Sequence, residues 1–173
     1  MSLIIGKLAL LTLVPVVGAG IAYPTMTTKF GGGEGQIRLT SIGDFENNCW
    51  VSVQGTLSKG GEETAKLLAC RVKKDSEVAR FYFFVKTADS VNLPKEVKNV
   101  TYQNGDGHGH KFLVTFSDGE SKTINASNTI WNSVFGDEIN RNCKITGDVT
   151  TSRRLGCNGQ YPQNMEFFKS NSQ

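Results

Sequence analysis

Cys49-Trp50-Val51-Ser52-Val53-Gln54-Gly55-Thr56-Leu57 is followed by Ser58-Lys59-Gly60-Gly61-Glu62 and then by Lys66-Leu67-Leu68-Ala69-Cys70-Arg71-Val72. The first run is rich in β-branched and aromatic residues and alternates Cys49, Val51, Val53 against Trp50, Ser52, Gln54. Period two over such residues reads as a strand, and the Gly-rich break reads as a turn. The midpoint between residues 49 and 70 falls within Lys59-Gly60-Gly61, so folding the runs as a hairpin sets Cys49 opposite Cys70. Directly opposed strand residues lie at a distance a disulfide spans. The stretch decides the fold class: antiparallel β, with a covalent staple across its first hairpin.

Working outward, the same period recurs. Gln36–Ser41 reads as a short alternating strand with Ile37 and Leu39 on one side. Val78–Thr87 sets Ala79, Phe81, Phe83 and Val85 on one face, and Arg80, Tyr82, Phe84 and Lys86 on the other. Val97–Gln103 follows. Lys111–Ser117 and Glu120–Asn125 are separated by Asp118-Gly119, which the sequence suggests as a two-residue hairpin link with left-handed backbone at both positions. Further strands are expected over Asn142–Val149 and near the last cysteine pair. Ser127–Phe135 departs from this period, because Ile130, Trp131, Val134 and Phe135 sit at helical spacing before Gly136. One short helix is expected there, with another strand as the competing reading. The fold class is therefore all-β, a small antiparallel sandwich or barrel with one short helix.

Cys143 and Cys157 bracket a second short loop. Four cysteines allow three connectivities, of which the local one, Cys49–Cys70 with Cys143–Cys157, is expected; no CxxC pair suggests zinc. Asn48-Cys49-Trp50-Val51-Ser52 and Asn142-Cys143-Lys144-Ile145-Thr146 echo one another, as a duplication or as the ordinary pairing of Cys with β-branched neighbours.

The N-terminus has a different composition. Lys7 precedes the apolar run Leu8–Val17, and Gly18-Ala19-Gly20-Ile21-Ala22 follows, which is the layout of an export signal. Cleavage after Ala19 or Ala22 is one reading. The other is a retained anchor helix using residues 3–23. The apolar stretch from Leu8 to Tyr23 is about 24 Å as helix, short of the roughly 30 Å bilayer core, so an anchor must recruit Leu3, Ile4 and Ile5. Tyr23–Gly35, with Pro24 and Gly31, Gly32, Gly33 and Gly35, reads as a flexible Gly-rich tether. The chain then divides into a signal or anchor over 1–23, a tether over 24–35, a disulfide-bonded β domain over 36–169 and a disordered tail over 170–173.

The chain has 173 residues, 19 Lys+Arg and 16 Asp+Glu, a formal net charge of +3. The charge is small and dispersed, which gives no footprint for nucleic acid. His108 and His110, the only histidines, lie in Asn104-Gly105-Asp106-Gly107-His108-Gly109-His110. Extended, the two imidazoles share a face, and with Asp106 they are the weak candidates for a metal site. The glycines oppose the preorganisation such a site needs, so a solvated hairpin loop is the plainer reading. No nucleophile motif accompanies them. Glu62-Glu63 and Asp137-Glu138 read as solvated carboxylates, and Gly31-Gly32-Gly33 opens no helix and cradles no phosphate. Asn99-Val100-Thr101 and Asn125-Ala126-Ser127 fit the glycosylation pattern, which only a eukaryotic secretory pathway would use. Trp50, Tyr82 and Phe84 are candidates for an outward aromatic patch.

Taken together, Met1-Ser2-Leu3, Gly6-Lys7-Leu8, Gly18-Ala19-Gly20 and the Gly-rich tether before a Cys-bearing domain resemble the short, lineage-specific exported proteins of haemotropic mycoplasmas. The resemblance covers the N-terminal 35 residues; Phe116-Ser117-Asp118-Gly119, Trp131 and Asn142-Cys143-Lys144 match more loosely. It implies a surface-exposed, membrane-anchored protein and carries over no catalytic residue. The expected function is a non-enzymatic extracytoplasmic interaction protein that needs no cofactor and contacts a protein or glycan at the cell surface. A structural or inhibitor-like secreted module differs only in its partner. A secreted metal-dependent hydrolase using Asp106, His108 and His110 is the competing class.

Overall fold

The computed structural model describes residues 35–58, 63–86, 92–104, 109–126, 142–147, 153–157 and 163–171. All belong to the second of the chain's two units, residues 32–173. The signal or anchor segment and most of the tether lie outside the described residues, as does the helix expected over Ser127–Phe135. No helix among the described residues is long and apolar enough to cross a membrane.

Strands β1 (Cys49–Leu57), β2 (Thr64–Arg71) and β3 (Ala79–Val85) form an antiparallel wall. Two three-stranded meanders complete it. Strands β4 (Lys95–Asn104), β5 (His110–Phe116) and β6 (Ser121–Ala126) leave the end of β3 through the pair Tyr82↔Glu96. They return to the end of β1 through Thr56↔Asn125 and Leu57↔Ile124. Strands β7 (Cys143–Thr146), β8 (Arg153–Cys157) and β9 (Gln163–Phe167) mirror them at the opposite end. There β9 pairs with the start of β1 at Trp50↔Phe167, and Val78↔Lys144 bridges β7 to the residue before β3. The all-β fold is thus a short β7–β9 sheet, tied to the residue before β3 by a single bridge, beside a closed antiparallel ring of β1–β6 that is closer to a barrel than to a sandwich. Closure removes the exposed edges that an open sheet would leave.

Side-chain parity explains the core. Leu67, Phe81 and Phe83 of the wall face inward. Phe112, Val114 and Ile124 meet them from one meander, and Ile145, Leu155 and Met165 from the other. Phe83 and Phe116 meet edge-to-face at 5.5 Å. The wall's other face carries Leu68, Phe84 and the Cys49–Cys70 disulfide, so β2 is covered on both sides. Helix α1 (Ile42–Asn48) supplies that second cover, with Phe45 edge-on to Tyr82 at 5.1 Å and Phe168 against Phe84 at 5.0 Å.

Four expectations are corrected. Gln36–Ser41 is not a strand: Gln36 makes one bridge to Lys73, and Ser41 caps α1. Ser41 and Asp44 form a capping box, the Asp44 N–H donating to Ser41 Oγ at 3.3 Å and the Ser41 N–H to Asp44 Oδ2 at 2.8 Å. The alternation of β1 breaks at a bulge between Val51 and Val53. There the Ser52 hydroxyl donates to the Leu67 carbonyl at 2.9 Å, and Val53 turns into the core beside Trp50. The Asp118-Gly119 hairpin has a longer loop: the Gly119 N–H donates to the Phe116 carbonyl at 3.1 Å, and only then does Gly119, at φ 85°, turn the chain back. Ser170, expected in a disordered tail, is buried, its N–H and hydroxyl donating to Glu46 Oε1 at 2.9 and 2.7 Å. Strand β9 has no counterpart among the expected strands.

Cys49 is bonded to Cys70 and Cys143 to Cys157, with Cα atoms 4.1 and 4.0 Å apart. Both are directly opposed register pairs.

Candidate functional site

Of the three loop candidates for metal, the structure places one. His110 opens β5, and its Nδ1 lies 2.7 Å from Tyr102 Oη. Asp106 and His108 lie outside the described residues. Among the described residues no three His, Cys, Asp or Glu side chains gather to hold a metal ion. Glu63 is half-buried, and its carbonyl accepts from the Leu57 N–H at 3.3 Å; Glu62, Asp137 and Glu138 lie outside the described residues.

The aromatic patch does not form. Trp50 faces the inner core at 3 % exposure, whereas Phe84 and Tyr82 lie on the opposite face of the wall under α1 and Phe168. The bulge after Val51 and the second cover over the wall account for the difference. The Trp50 indole packs against Phe167, centroids 5.7 Å apart, and beneath the Arg153 guanidinium at 5.5 Å. Arg153 points into the protein from β8 and donates to the Gly147 carbonyl. Tyr82 is pushed up to about 12, by burial first and then by Glu96, with Arg80 opposing.

Lys66 is the second buried cation, at 2 % exposure in the middle of β2. Burial pushes its ammonium below the usual lysine range, Lys86 adds to this and Glu166 opposes it. Its Nζ donates to the Lys169 carbonyl at 3.5 Å. A perturbed lysine is often a functional group, but this one ties down the segment after β9.

The surface that most resembles a binding site is the outward face of β4, β5 and β6. Inward, these strands send Val100, Phe112, Val114 and Ile124 into the core. Outward, the register builds three cross-strand rows. Asn99, Thr115 and Ser121 form the first, and Thr101, Leu113 and Thr123 the second. Gln103, Lys111 and Asn125 form the third. Every one of the nine positions except Leu113 is polar and Lys111 is the charged one among them; the bulge sets exposed Lys98 on the same side beside Asn99. At strand spacings of about 4.8 Å and about 6.8 Å between alternate residues, the grid spans roughly 10 by 14 Å between Cα atoms. Neighbours fix several of these groups: Asn99 Nδ2 donates to Thr101 Oγ1 at 3.5 Å, and Thr115 Oγ1 lies 3.2 Å from Ser121 Oγ. The Ser58 hydroxyl donates to Asn125 Oδ1 at 3.0 Å at the rim. Charges gather instead at the hairpin tip, where Lys95 bridges Asp118 and Glu120 at 2.8 and 2.9 Å.

Sequence reading missed this face. Period two shows which residues of one strand share a side, but the grid depends on register across three strands, and a bulge between Val97 and Asn99 shifts it. The legible signal was the run of Asn, Thr, Gln and Ser through Val97–Gln103, Lys111–Ser117 and Glu120–Asn125, with Lys98 and Lys111 as charged outward positions. Comparison with protein-family models, curated proteins and solved structures returns no match to this chain.

Proposed function

We propose that this protein is an extracytoplasmic, non-enzymatic binding domain that meets its partner through the outward face of β4–β5–β6. The observation that carries the reading is that face: a polar grid with one charge among its nine positions and Lys98 at its rim, on a sheet whose other side is fixed by the core. Two buried disulfides are compatible with an oxidising compartment, and the apolar segment before the tether supplies the export signal. A shallow polar surface holds a partner without the convergent acid, base or nucleophile that catalysis requires.

The test has two arms. In intact cells, all four cysteines resist alkylation until a reductant is added; free thiols at all four would overturn the location. Full-length protein binds the surface fraction of its own cellular environment, and Leu113→Lys abolishes that binding while Lys144→Ala, on the other meander, leaves it intact. Binding that ignores Leu113→Lys would overturn the assignment of the face.

A further inference from the structure

We infer that the partner of the β4–β5–β6 face is a neutral, polyhydroxylated polymer, that is, an uncharged polysaccharide or glycan chain. The inference rests on the reading of this face as the contact surface and names the chemistry it selects.

The chemistry of the grid narrows the choice. An anionic partner such as nucleic acid or an acidic membrane needs clustered cations, and its affinity scales with the phosphates neutralised; this face offers Lys111 in one outer row and Lys98 at the bulge beside the opposite row, which is no cluster. A protein interface draws its binding energy from Tyr, Trp, Met and Arg anchors seated near its centre. No such residue stands in the three rows, and the centre is Leu113 flanked by Thr101 and Thr123. Hydroxyls both donate and accept, and so do the amides of Asn99, Gln103 and Asn125. A surface of mixed donors and acceptors matches a ligand built the same way, and sugar hydroxyls are that ligand. Leu113 supplies an apolar spot for the C–H face of a ring.

The shape agrees. The nine positions lie side by side on three adjacent strands, which suits a chain crossing the strands rather than a small molecule enclosed on all sides. Without an aromatic platform, each site binds weakly, with a Kd on the order of 1 mM. Many copies displayed on one surface and many repeats along one polymer then raise the avidity.

The experiment is a titration of isotope-labelled full-length protein with cello-, malto-, manno- and chitohexaose, read by amide chemical shifts. Heparin serves as the anionic comparison. At least one neutral hexasaccharide is expected to give saturable shifts centred on Thr101, Leu113 and Thr123. Thr101→Val with Thr123→Val keeps the β-branched shape and removes both hydroxyls; it should weaken that binding at least tenfold with an unchanged melting temperature. Should the double variant fail to fold, Gln103→Ala at the rim carries the same test and is expected to weaken binding about threefold. If no neutral saccharide shifts the face while a crosslinker at Leu113 captures a protein on cells, the glycan inference falls and the contact-surface reading stands. Heparin displacing every neutral sugar from the same residues also overturns the inference. Shifts that map to β7–β9 instead would overturn both.

Discussion

The two meanders attach to the same wall and differ in how they are held. Strands β4, β5 and β6 are 10, 7 and 6 residues long and carry no covalent link. Strands β7, β8 and β9 are 4, 5 and 5 residues long, and a disulfide joins the first two. Ordering a strand costs roughly 1–2 kcal/mol of backbone entropy per residue, which ladder bonds and buried side chains must offset. The long meander does so by length, sending Phe112, Val114 and Phe116 inward from β5 alone. The short one buries less per strand, and its cross-link instead removes freedom from the unfolded chain. The outward faces differ as well: the long meander sets its nine-residue polar grid beside exposed Glu96 and Lys98 on β4, while the short one presents exposed Lys144, Arg154 and Glu166 on its three strands. A sheet stabilised through its core leaves its outer surface free to specialise.

The sharpest way to break this comparison is to remove the staple. Replacing Cys143 and Cys157 together by Ala should lower stability by about 3 kcal/mol, the closure entropy of a loop of this length plus or minus strain. Urea denaturation measures the loss. Hydrogen exchange should show β7–β9 amides losing protection first while β4–β6 keep theirs. Equal loss in both meanders would mean that the short sheet is not a separately held unit.

Closure of the long meander has its own weak point. Gly55 lies in β1 beside the pairs that join it to β6, and a Cβ there would overlap the Asn125 carbonyl and come within 2.9 Å of Ile124 Cγ2. Backbone cannot yield as a flexible side chain does. Gly55→Ala should therefore cost about 1–3 kcal/mol as an overpacking change. Exchange protection should fall first in β6, the reverse of the pattern expected for the cysteine variant. A variant as stable as the parent would show that the β1–β6 junction has slack.

The legible parts of the fold were those with local causes. The first disulfide followed from a hairpin whose turn residues sit midway between Cys49 and Cys70, and the faces of Val78–Thr87 followed from period two. What escaped depended on tertiary context. The capping box at Ser41 and Asp44 was written in the sequence, but Gly43 and a helix of 7 residues weaken the helical pattern around it. The fate of Trp50 hinged on the bulge at Ser52, which answers to the Leu67 carbonyl across the sheet. Strand β9 takes its place from partners on both sides, β1 and β8, more than from its own composition. Of the candidate site, sequence alone offered the histidine loop and the aromatic patch; the outward grid required the register of three strands.

The smallest expected effect concerns how the short meander is tied to α1. After β9 the chain passes Phe168 and reaches Ser170, whose hydroxyl and N–H both donate to the Glu46 carboxylate. Those bonds, the side-chain one first, hold the Glu46 carboxyl below its ordinary value of 4.5, with Lys169 assisting and desolvation opposing. A carboxyl with a lowered folded-state pKa binds its proton more readily in the unfolded chain. Its contribution is therefore complete above about pH 4.5 and is lost as the pH falls through the lower folded value. Glu46→Gln retains an acceptor oxygen but not the charge. Because Glu46 is only half-buried, screening by solvent keeps the difference below about 1 kcal/mol. The melting temperature of the variant should lie slightly under that of the parent at pH 7, and the two should converge as the pH drops below 4.5. Asp44, Asp118 and Glu120 also have lowered values, so the parent curve alone mixes several titrations, and only the difference between the two curves isolates Glu46. A gap that stays constant across that range would assign the bonds to Ser170 no charge-dependent part, leaving the packing of Phe168 to hold the end of the short meander.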